Sequence, residues 1–402
     1  MIKALRGMKD FLPPRSEKFD YFIKNASRIA ENFGFLPVET PILEETALFK
    51  RSVGESSDIV GKEMYQFTDK GGNDVCLRPE GTAGVVRSFI ENKLDKRGGI
   101  YRFYYYGAMF RYERPQKGRL REFHQFGAES FAEADVLEDV NIIVMIKEIL
   151  DFFNIPFKLK INSLGCHECM PSYRENLVTF LKDIDDGLCE DCQRRISTNP
   201  VRVFDCKNQN CQIALKEVPR ITGSLCQICD KDFANLVSML ESLDIEYEID
   251  SNLVRGLDYY TKTAFEFVSS SLGAQNAIAG GGRYDRLVEF LGGKPTPAIG
   301  FAIGIERILE LIEMPKAKRE GYYFGAMSDE AKNMIFKEAL KRRKDEKVFL
   351  EYKTKSLKAH LKSADKSNAR YCAVIGENEL QNGVIWVKDL ETKEETFIKT
   401  GE

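Results

Sequence analysis

Two β-rich runs, YRFYYYGAMFRYE beginning at Tyr101 and EFHQFGAESF ending at Phe131, flank the loop RPQKGRLR. Their aromatic content and the turn chemistry between them read as one long antiparallel hairpin. Helical periodicity resumes on both sides of it, so the surrounding chain reads as α+β. The hairpin also carries Arg111, Arg114, Lys117, Arg119 and Arg121 on a short excursion. A strand repeats its side-chain direction every second residue, so Arg111 and Glu113 share a face with Met109. Phe123, Gln125, Gly127 and Glu129 share a face on the returning strand. If the two faces coincide, one sheet surface offers a guanidinium, a ring, an amide and a carboxylate. Arg111 and Arg119 then fork onto phosphate oxygens, Phe123 stacks on a base, and Gln125 and Glu129 hold an ammonium group. Composition alone fits a salt-bridged surface hairpin equally well.

Upstream, SEKFDYFIKNASRIAENF places Phe19, Phe22, Ile23, Ala26, Ile29, Ala30 and Phe33 on one helical face, with Ser16 as the expected cap. MYQFTDKGGNDVCLRPEG gives two short strands around a Gly-Gly turn. Downstream, VLEDVNIIVMIKEILDFF is helical, and TAFEFVSS is a strand. NAIAGGGRYDRLVEFLGG reads as strand, glycine-rich turn and helix, and PAIGFAIGIERILELI as strand then helix. After the linker-like EMPKAKREG, strands and helices alternate, as in a small separate α/β domain with a partly parallel sheet.

A chain of 402 residues exceeds one core, and roughly two to four domains are expected. Apolar content of 43% and charged content of 30% exclude wholesale disorder. The net charge of −3 excludes a generally basic nucleic-acid binder but leaves room for local basic surfaces. The N-terminal stretch lacks the apolar run of a signal peptide, and VNIIVMIKEIL is broken by Lys147 and Glu148. A cytoplasmic chain without a membrane segment is expected.

Eight of the ten cysteines fall between Cys166 and Cys229. In a reducing compartment such clustering suggests metal before disulfide. Cys166, Cys169, Cys189 and Cys192 form C-x2-C-x19-C-x2-C, and Cys206, Cys211, Cys226 and Cys229 form C-x4-C-x14-C-x2-C. Both spacings suit zinc, and eight ligands fill two sites in several combinations, so the pairing stays open. A structural zinc would staple a small domain with little core of its own. His124 lies on the strand face opposite Gln125, which favours a structural role.

Further motifs occur in a fixed order. FRYERPQKGRLREFHQFGAE is similar to motif 2 of the class II aminoacyl-tRNA synthetases in their histidine-specific form. GFLPVETPILEETALF resembles motif 1 and AIGFAIGIERIL motif 3. LVRGLDYYTKTAFEF and AGGGRYDRLVEFLGG resemble the two signatures of the histidine form, and LRPEGTAGVVR completes the set. The resemblance implies an α+β class II fold, an antiparallel sheet flanked by helices. Residues 1–160 would carry motifs 1 and 2, and 246–315 the histidine signatures and motif 3. A Cys-rich insertion domain would span 161–245, and an α/β anticodon-binding domain 320–402. Motif 1 implies a homodimer.

The implied reaction takes L-histidine and ATP, with magnesium, to histidyl-adenylate and pyrophosphate, then moves histidine to the 3′ end of histidine tRNA. By resemblance Arg111, Arg255 and Arg307 are catalytic, and Arg111, Glu113, Arg119, Phe123 and Arg307 hold ATP. Glu80, Thr82 and Gln125 face the α-amino group of histidine. Glu129 and Tyr260 face its ring, with Tyr259 beside them and Tyr284 closing the pocket. Gln116 would contact tRNA. A silent relative that regulates a phosphoribosyltransferase would be expected to lack or degrade LVRGLDYY, the insertion and the C-terminal domain. A zinc-ribbon nucleic-acid-binding module would leave RPEGT, GGRYD and GIERIL unexplained.

Overall fold

The computed structural model describes residues 2–400 apart from 55, 56, 58, 117, 274, 275 and 317, so Lys117 of the hairpin lies outside the described residues. The chain divides into two compact units, Met1–Glu313 and Met314–Glu402.

The first unit is built on one large sheet. Its strands are β1 (Leu36–Pro37), β2 (Tyr101–Phe110), β3 (Glu122–Phe131), β4 (Lys158–Ser163), β5 (Tyr247–Ile249), β6 (Thr261–Val268), β7 (Ala277–Arg283) and β8 (Ala298–Gly304). They lie in the order β1-β2-β3-β8-β7-β6-β4-β5. Only the outer contacts, β1 with β2 and β4 with β5, are parallel. The central hairpin pairs residue for residue from Tyr101 opposite Phe131 to Phe110 opposite Glu122, which sets Met109 against Phe123 and Gly107 against Gln125. The two faces therefore coincide.

Strand β8, AIGFAIG, alternates large and small residues, and this alternation decides what each face does. Ile299, Phe301 and Ile303 join Phe126, Phe265 and Phe267 in a buried layer under helices Arg15–Asn32, Val136–Phe152 and Gln227–Ser242. Phe301 is 2% exposed, and truncating it to alanine should cost roughly 3–5 kcal/mol. Gly300, Ala302 and Gly304 point the other way and leave that face concave. On helix Arg15–Asn32 the residues Phe22, Ile23, Ala26, Ile29 and Ala30 are buried, but Pro14 rather than Ser16 stands at the N-cap. Proline supplies the fixed φ a helix start needs, and its missing N–H has no partner to lose there.

The glycine stretch read as a turn is instead the middle of β7, paired on both sides with β6 and β8. The glycines serve close approach rather than chain reversal. A Cβ at Gly280 would lie 2.4 Å from the Arg255 guanidinium nitrogens.

The insertion leaves the sheet between β4 and β5. Helices Met170–Asp183 and Glu190–Thr198 pack there around Tyr173, Leu177, Leu181, Val203 and the buried cysteines. The second unit has strands β9 (Tyr322–Ala326), β10 (Val348–Leu350), β11 (Tyr371–Ile375), β12 (Val384–Asp389) and β13 (Glu395–Lys399), ordered β10-β9-β11-β12-β13. Its first two contacts are parallel and the others antiparallel, so the sheet is partly parallel. Among the described residues no helix is long and apolar enough to cross a membrane.

Candidate active site

The concave face of the first sheet holds a cavity of about 490 Å³. Its floor is the small-residue side of the sheet: Gln125 on β3, Ala302 and Gly304 on β8, Gly280 on β7 and Glu266 on β6. Arg111, Glu113 and Arg119 of the hairpin loop form one wall, and the segment from Val254 to Tyr260 contributes another. Arg307 enters from helix Ile305–Leu311.

Three of the arginines are held from behind. Arg111 donates through Nε to the Pro79 carbonyl at 2.9 Å, and its guanidinium carbon sits 5.2 Å from the Phe123 ring centroid. Arg307 donates to the Ala277 carbonyl at 2.5 Å. Neither makes an ion pair among the described residues. Arg255 pairs with Glu266 at 3.0 Å, while its buried Nε finds no partner. Arg119 pairs with Glu113 at 3.0 Å. Burial pulls the Arg307 pKa below its ordinary value; the nearby Arg119 and Arg111 charges push it further down, against Glu266 and Glu113. Arg111 and Arg307 thus face the cavity without a carboxylate partner, a costly state unless an anion is bound there.

The other end is lined by Glu80, Thr82, Gln125, Tyr259 and Tyr260. Gln125 Oε1 and the Tyr259 hydroxyl are buried there without hydrogen-bond partners. The Glu80 carboxylate accepts from the Thr82 and Ala83 backbone N–H groups at 2.7 and 2.9 Å, capping helix Thr82–Glu91, and burial raises its pKa. Glu129 is fully buried just beneath this lining. Thr82 and Tyr105 donate to one of its oxygens at 2.7 and 3.2 Å, and Tyr284 to the other at 2.5 Å. Burial pushes its pKa up to about 8, while the Tyr284 and Thr82 hydrogen bonds oppose that shift. A Cβ at Gly300 would lie 1.7 Å from the carboxylate, so only glycine leaves it room.

Arg111, Glu113, Arg119, Phe123, Gln125, Glu80, Thr82, Arg255, Tyr259, Tyr260 and Arg307 thus come together around one space. Glu129 and Tyr284 stand one layer below it. Gln116 sits at the exposed hairpin tip, bonded through its backbone to Arg119. His124 supports the site from the helix side: its backbone N–H and Nδ1 meet Glu306 at 2.9 Å, and its ring packs on Phe11 and Phe19. Sequence reasoning missed Glu266, Asp205 and Lys207, which also line the cavity. Glu266 carried a signal, a lone charge in the apolar strand TAFEFV. Asp205 and Lys207 flank Cys206 and carried none.

The eight thiols assemble into two groups of four, with sulfurs in each group within 4.8 Å of one another. The groups are nested rather than sequential: Cys166 and Cys169 meet Cys226 and Cys229, and the inner pairs Cys189, Cys192 and Cys206, Cys211 meet each other. Cys189 and Cys226 stand at helix N-termini. There the backbone N–H groups of Cys192 and Cys229, respectively, bring each thiol down to about 7. The Cys189 N–H donates to Cys211 Sγ at 3.2 Å and the Cys226 N–H to Cys169 Sγ at 3.1 Å, the same device in each cluster.

A sequence profile described as histidyl-tRNA synthetase matches residues 7–168 and 207–308, more than half of the chain. The chain belongs to the histidyl-tRNA synthetase family. A second profile, described as an anticodon binding domain, matches residues 329–402. The chain is 64% identical over 398 residues to a histidine–tRNA ligase of Sulfurimonas denitrificans, covering 99% of each. It is 62% identical over 402 residues to one of Sulfurovum sp., covering 100% of each. Among solved structures, the apo histidyl-tRNA synthetase of S. aureus superposes with a TM-score of 0.83 at 35% identity, over 99% of this chain and 97% of that one. The family profile breaks between 168 and 207, within the cysteine insertion.

Proposed function

We propose that the cavity activates L-histidine with ATP and that the chain then carries histidine to the 3′ end of its tRNA. The observation that supports this most is the polarity of one space. Two guanidiniums without ion pairs, Arg111 and Arg307, face it at one end, and orphaned polar atoms of Gln125 and Tyr259 face it at the other. The histidine carboxylate attacks the α-phosphorus, the bond to the bridging oxygen breaks, and pyrophosphate leaves with that electron pair. At ~4 Å and an effective dielectric of ~20, each like-charge pair opposes this approach by about 4 kcal/mol. Arg111 and Arg255 offset that repulsion at the α-phosphate and Arg307 at the terminal phosphate, most strongly where charge builds up in the transition state. Magnesium entering with ATP would supply further neutralisation of phosphate charge when bound. Phe123 stacks on the base, with Glu113 and Arg119 beside it.

Glu80, Thr82 and Gln125 take the α-amino group. Tyr260 and Tyr259 address the ring nitrogens, with Glu129 and Tyr284 in the layer beneath them. A site built to pair both nitrogens leaves buried groups unsatisfied when phenylalanine enters, which gives discrimination of ~10⁴–10⁵.

Each four-thiol cluster suits one zinc ion. The sulfur separations Cys166–Cys169, Cys166–Cys226 and Cys189–Cys206 are all 3.8 Å. A tetrahedron with Zn–S of about 2.3 Å has an edge of ~3.8 Å. Four thiolates close the shell, so the metal's role is structural. Gln116 at the hairpin tip approaches the tRNA acceptor end. In the second unit Arg343, Lys344, Lys358, Lys362 and Lys366 make no ion pair among the described residues and form the phosphate-facing surface. Exposed Leu36, Ile42 and Leu43 of motif 1 support a homodimer, and eight reduced thiols suit the cytoplasm.

Histidine-dependent exchange of labelled pyrophosphate into ATP tests the reading. Exchange should require histidine and ignore phenylalanine. Exchange absent with histidine, or equal with both, overturns it.

A further inference from the structure

The inner cysteine cluster and the catalytic arginine are joined by a short physical path. Between Cys192 and Cys206 the chain forms the end of helix Glu190–Thr198 and the turn Pro200–Asp205. From that turn Arg202 reaches the segment that carries Arg255. Its Nε donates to Asp258 Oδ1 at 3.0 Å and its Nη2 to the Gly256 carbonyl at 2.7 Å. Asn199 donates to the same Asp258 oxygen at 2.9 Å. The Arg202 side chain is only 14% exposed, and its own carbonyl accepts from Arg195 at 3.1 Å. A guanidinium making two planar contacts on one loop fixes both position and orientation, which a single donor does not.

We propose that Arg202 is a positioning residue through which the inner thiolate site, Cys189, Cys192, Cys206 and Cys211, sets the geometry of the Arg255–Tyr260 loop, so that adenylate formation depends on metal bound in the insertion. The insertion would then do more than stand beside the catalytic sheet. The loop from Val254 to Tyr260 lines the cavity directly, and the insertion adds Asp205 from the same turn and Lys207 from just beyond Cys206 to the lining. A four-thiolate site holds its two chain segments at fixed separation, and loss of its metal releases both. The segment released here ends one residue before Cys206, in the turn that carries Arg202. A displacement of ~1 Å in a group that must meet the α-phosphate costs on the order of 100-fold in rate. The outer cluster bears on the strand after the loop instead: the Gly165 carbonyl, next to Cys166, accepts from the Lys262 N–H at 2.7 Å, and Asp232 on the helix headed by Cys226 accepts from Lys262 Nζ at 3.0 Å, whereas Arg202 of the inner segment bonds the loop itself.

This inference rests on the activation reading and on metal in both clusters. The test uses the full chain and four measurements: metal content by mass spectrometry, pyrophosphate exchange, ATP and histidine binding, and amide hydrogen exchange over 254–260. Arg202→Ala should keep its full metal content and its ATP affinity, lose about 10- to 100-fold in exchange kcat, and exchange the 254–260 amides faster. Arg202→Lys should recover only part of the rate. Cys211→Ser should lose one metal equivalent and show the same kinetic and amide signature, and adding Arg202→Ala to it should change little more. If Cys211→Ser does not fold, stepwise chelation of the unmodified chain gives the same readout, with kcat and amide protection falling together. Unchanged kcat and protection in Arg202→Ala, or in a chain stripped of metal, overturn the coupling. No histidine-dependent exchange in the unmodified chain is a different failure, that of the activation reading itself.

Discussion

Glu129→Gln isolates one carboxyl and gives a stability difference with a defined pH dependence. The folded carboxyl titrates near 8, against an ordinary 4.5, because it is fully buried among Thr82, Tyr105 and Tyr284. Between those two values the folded chain holds a proton that the unfolded chain has released. The contribution of Glu129 to stability is therefore full below about pH 4.5, declines as pH rises through 8, and is flat above that. The span of 8 − 4.5 corresponds to about 5 kcal/mol. Glutamine imitates the neutral acid and does not titrate, and the three surrounding hydroxyls can each turn to donate or accept. The variant should nearly match the parent at pH 5 and exceed it by several kcal/mol at pH 9. Denaturant unfolding followed by circular dichroism at both pH values reads the difference; fluorescence would not serve, because the single tryptophan, Trp386, lies in the second unit. A difference that stays constant from pH 5 to 9, or that favours the parent at high pH, would refute the argument that burial holds this carboxyl neutral.

Two further predictions follow from the same geometry. Gly280→Ala places a Cβ 2.4 Å from the Arg255 nitrogens, which lie at the flexible end of a side chain, so the guanidinium moves and the fold survives. Exchange kcat should fall about 100-fold with an unchanged thermal midpoint, and an unaltered rate would remove Arg255 from that position. With about five phosphate contacts in the second unit, tRNA affinity should fall ~10²- to 10³-fold between ~50 and ~200 mM salt, while histidine binding stays level. A flat salt response in filter binding would remove that surface from tRNA recognition.

Much of the catalytic unit was legible because strand periodicity is a local signal. The pairing of Met109 with Phe123 made the two predicted faces one, and PAIGFAIGIERILELI is strand then helix as its pattern indicates. What failed needed tertiary information. Gly280 to Gly282 looked like a turn because glycine is the usual turn residue, whereas here Gly280 lets a guanidinium lie close against the face of the sheet. The thiol spacings left the pairing of the eight ligands open, and the chain nests one cluster inside the other, an arrangement that spacing alone does not encode. Glu129 was expected at the ligand surface, yet its depth depends on Gly300 across the strand pair. Arg202 and Asp258 lie 56 residues apart in sequence, and nothing local connects them.

The most direct test compares Arg255→Ala with the parent chain, measuring ATP affinity by calorimetry and adenylate formation by histidine-dependent pyrophosphate exchange. ATP affinity should change little while exchange kcat falls ~10²- to 10³-fold, because the guanidinium meets charge that develops in the transition state. Unimpaired exchange, or a loss of ATP binding large enough to explain the whole decline, would contradict the assignment of this cavity.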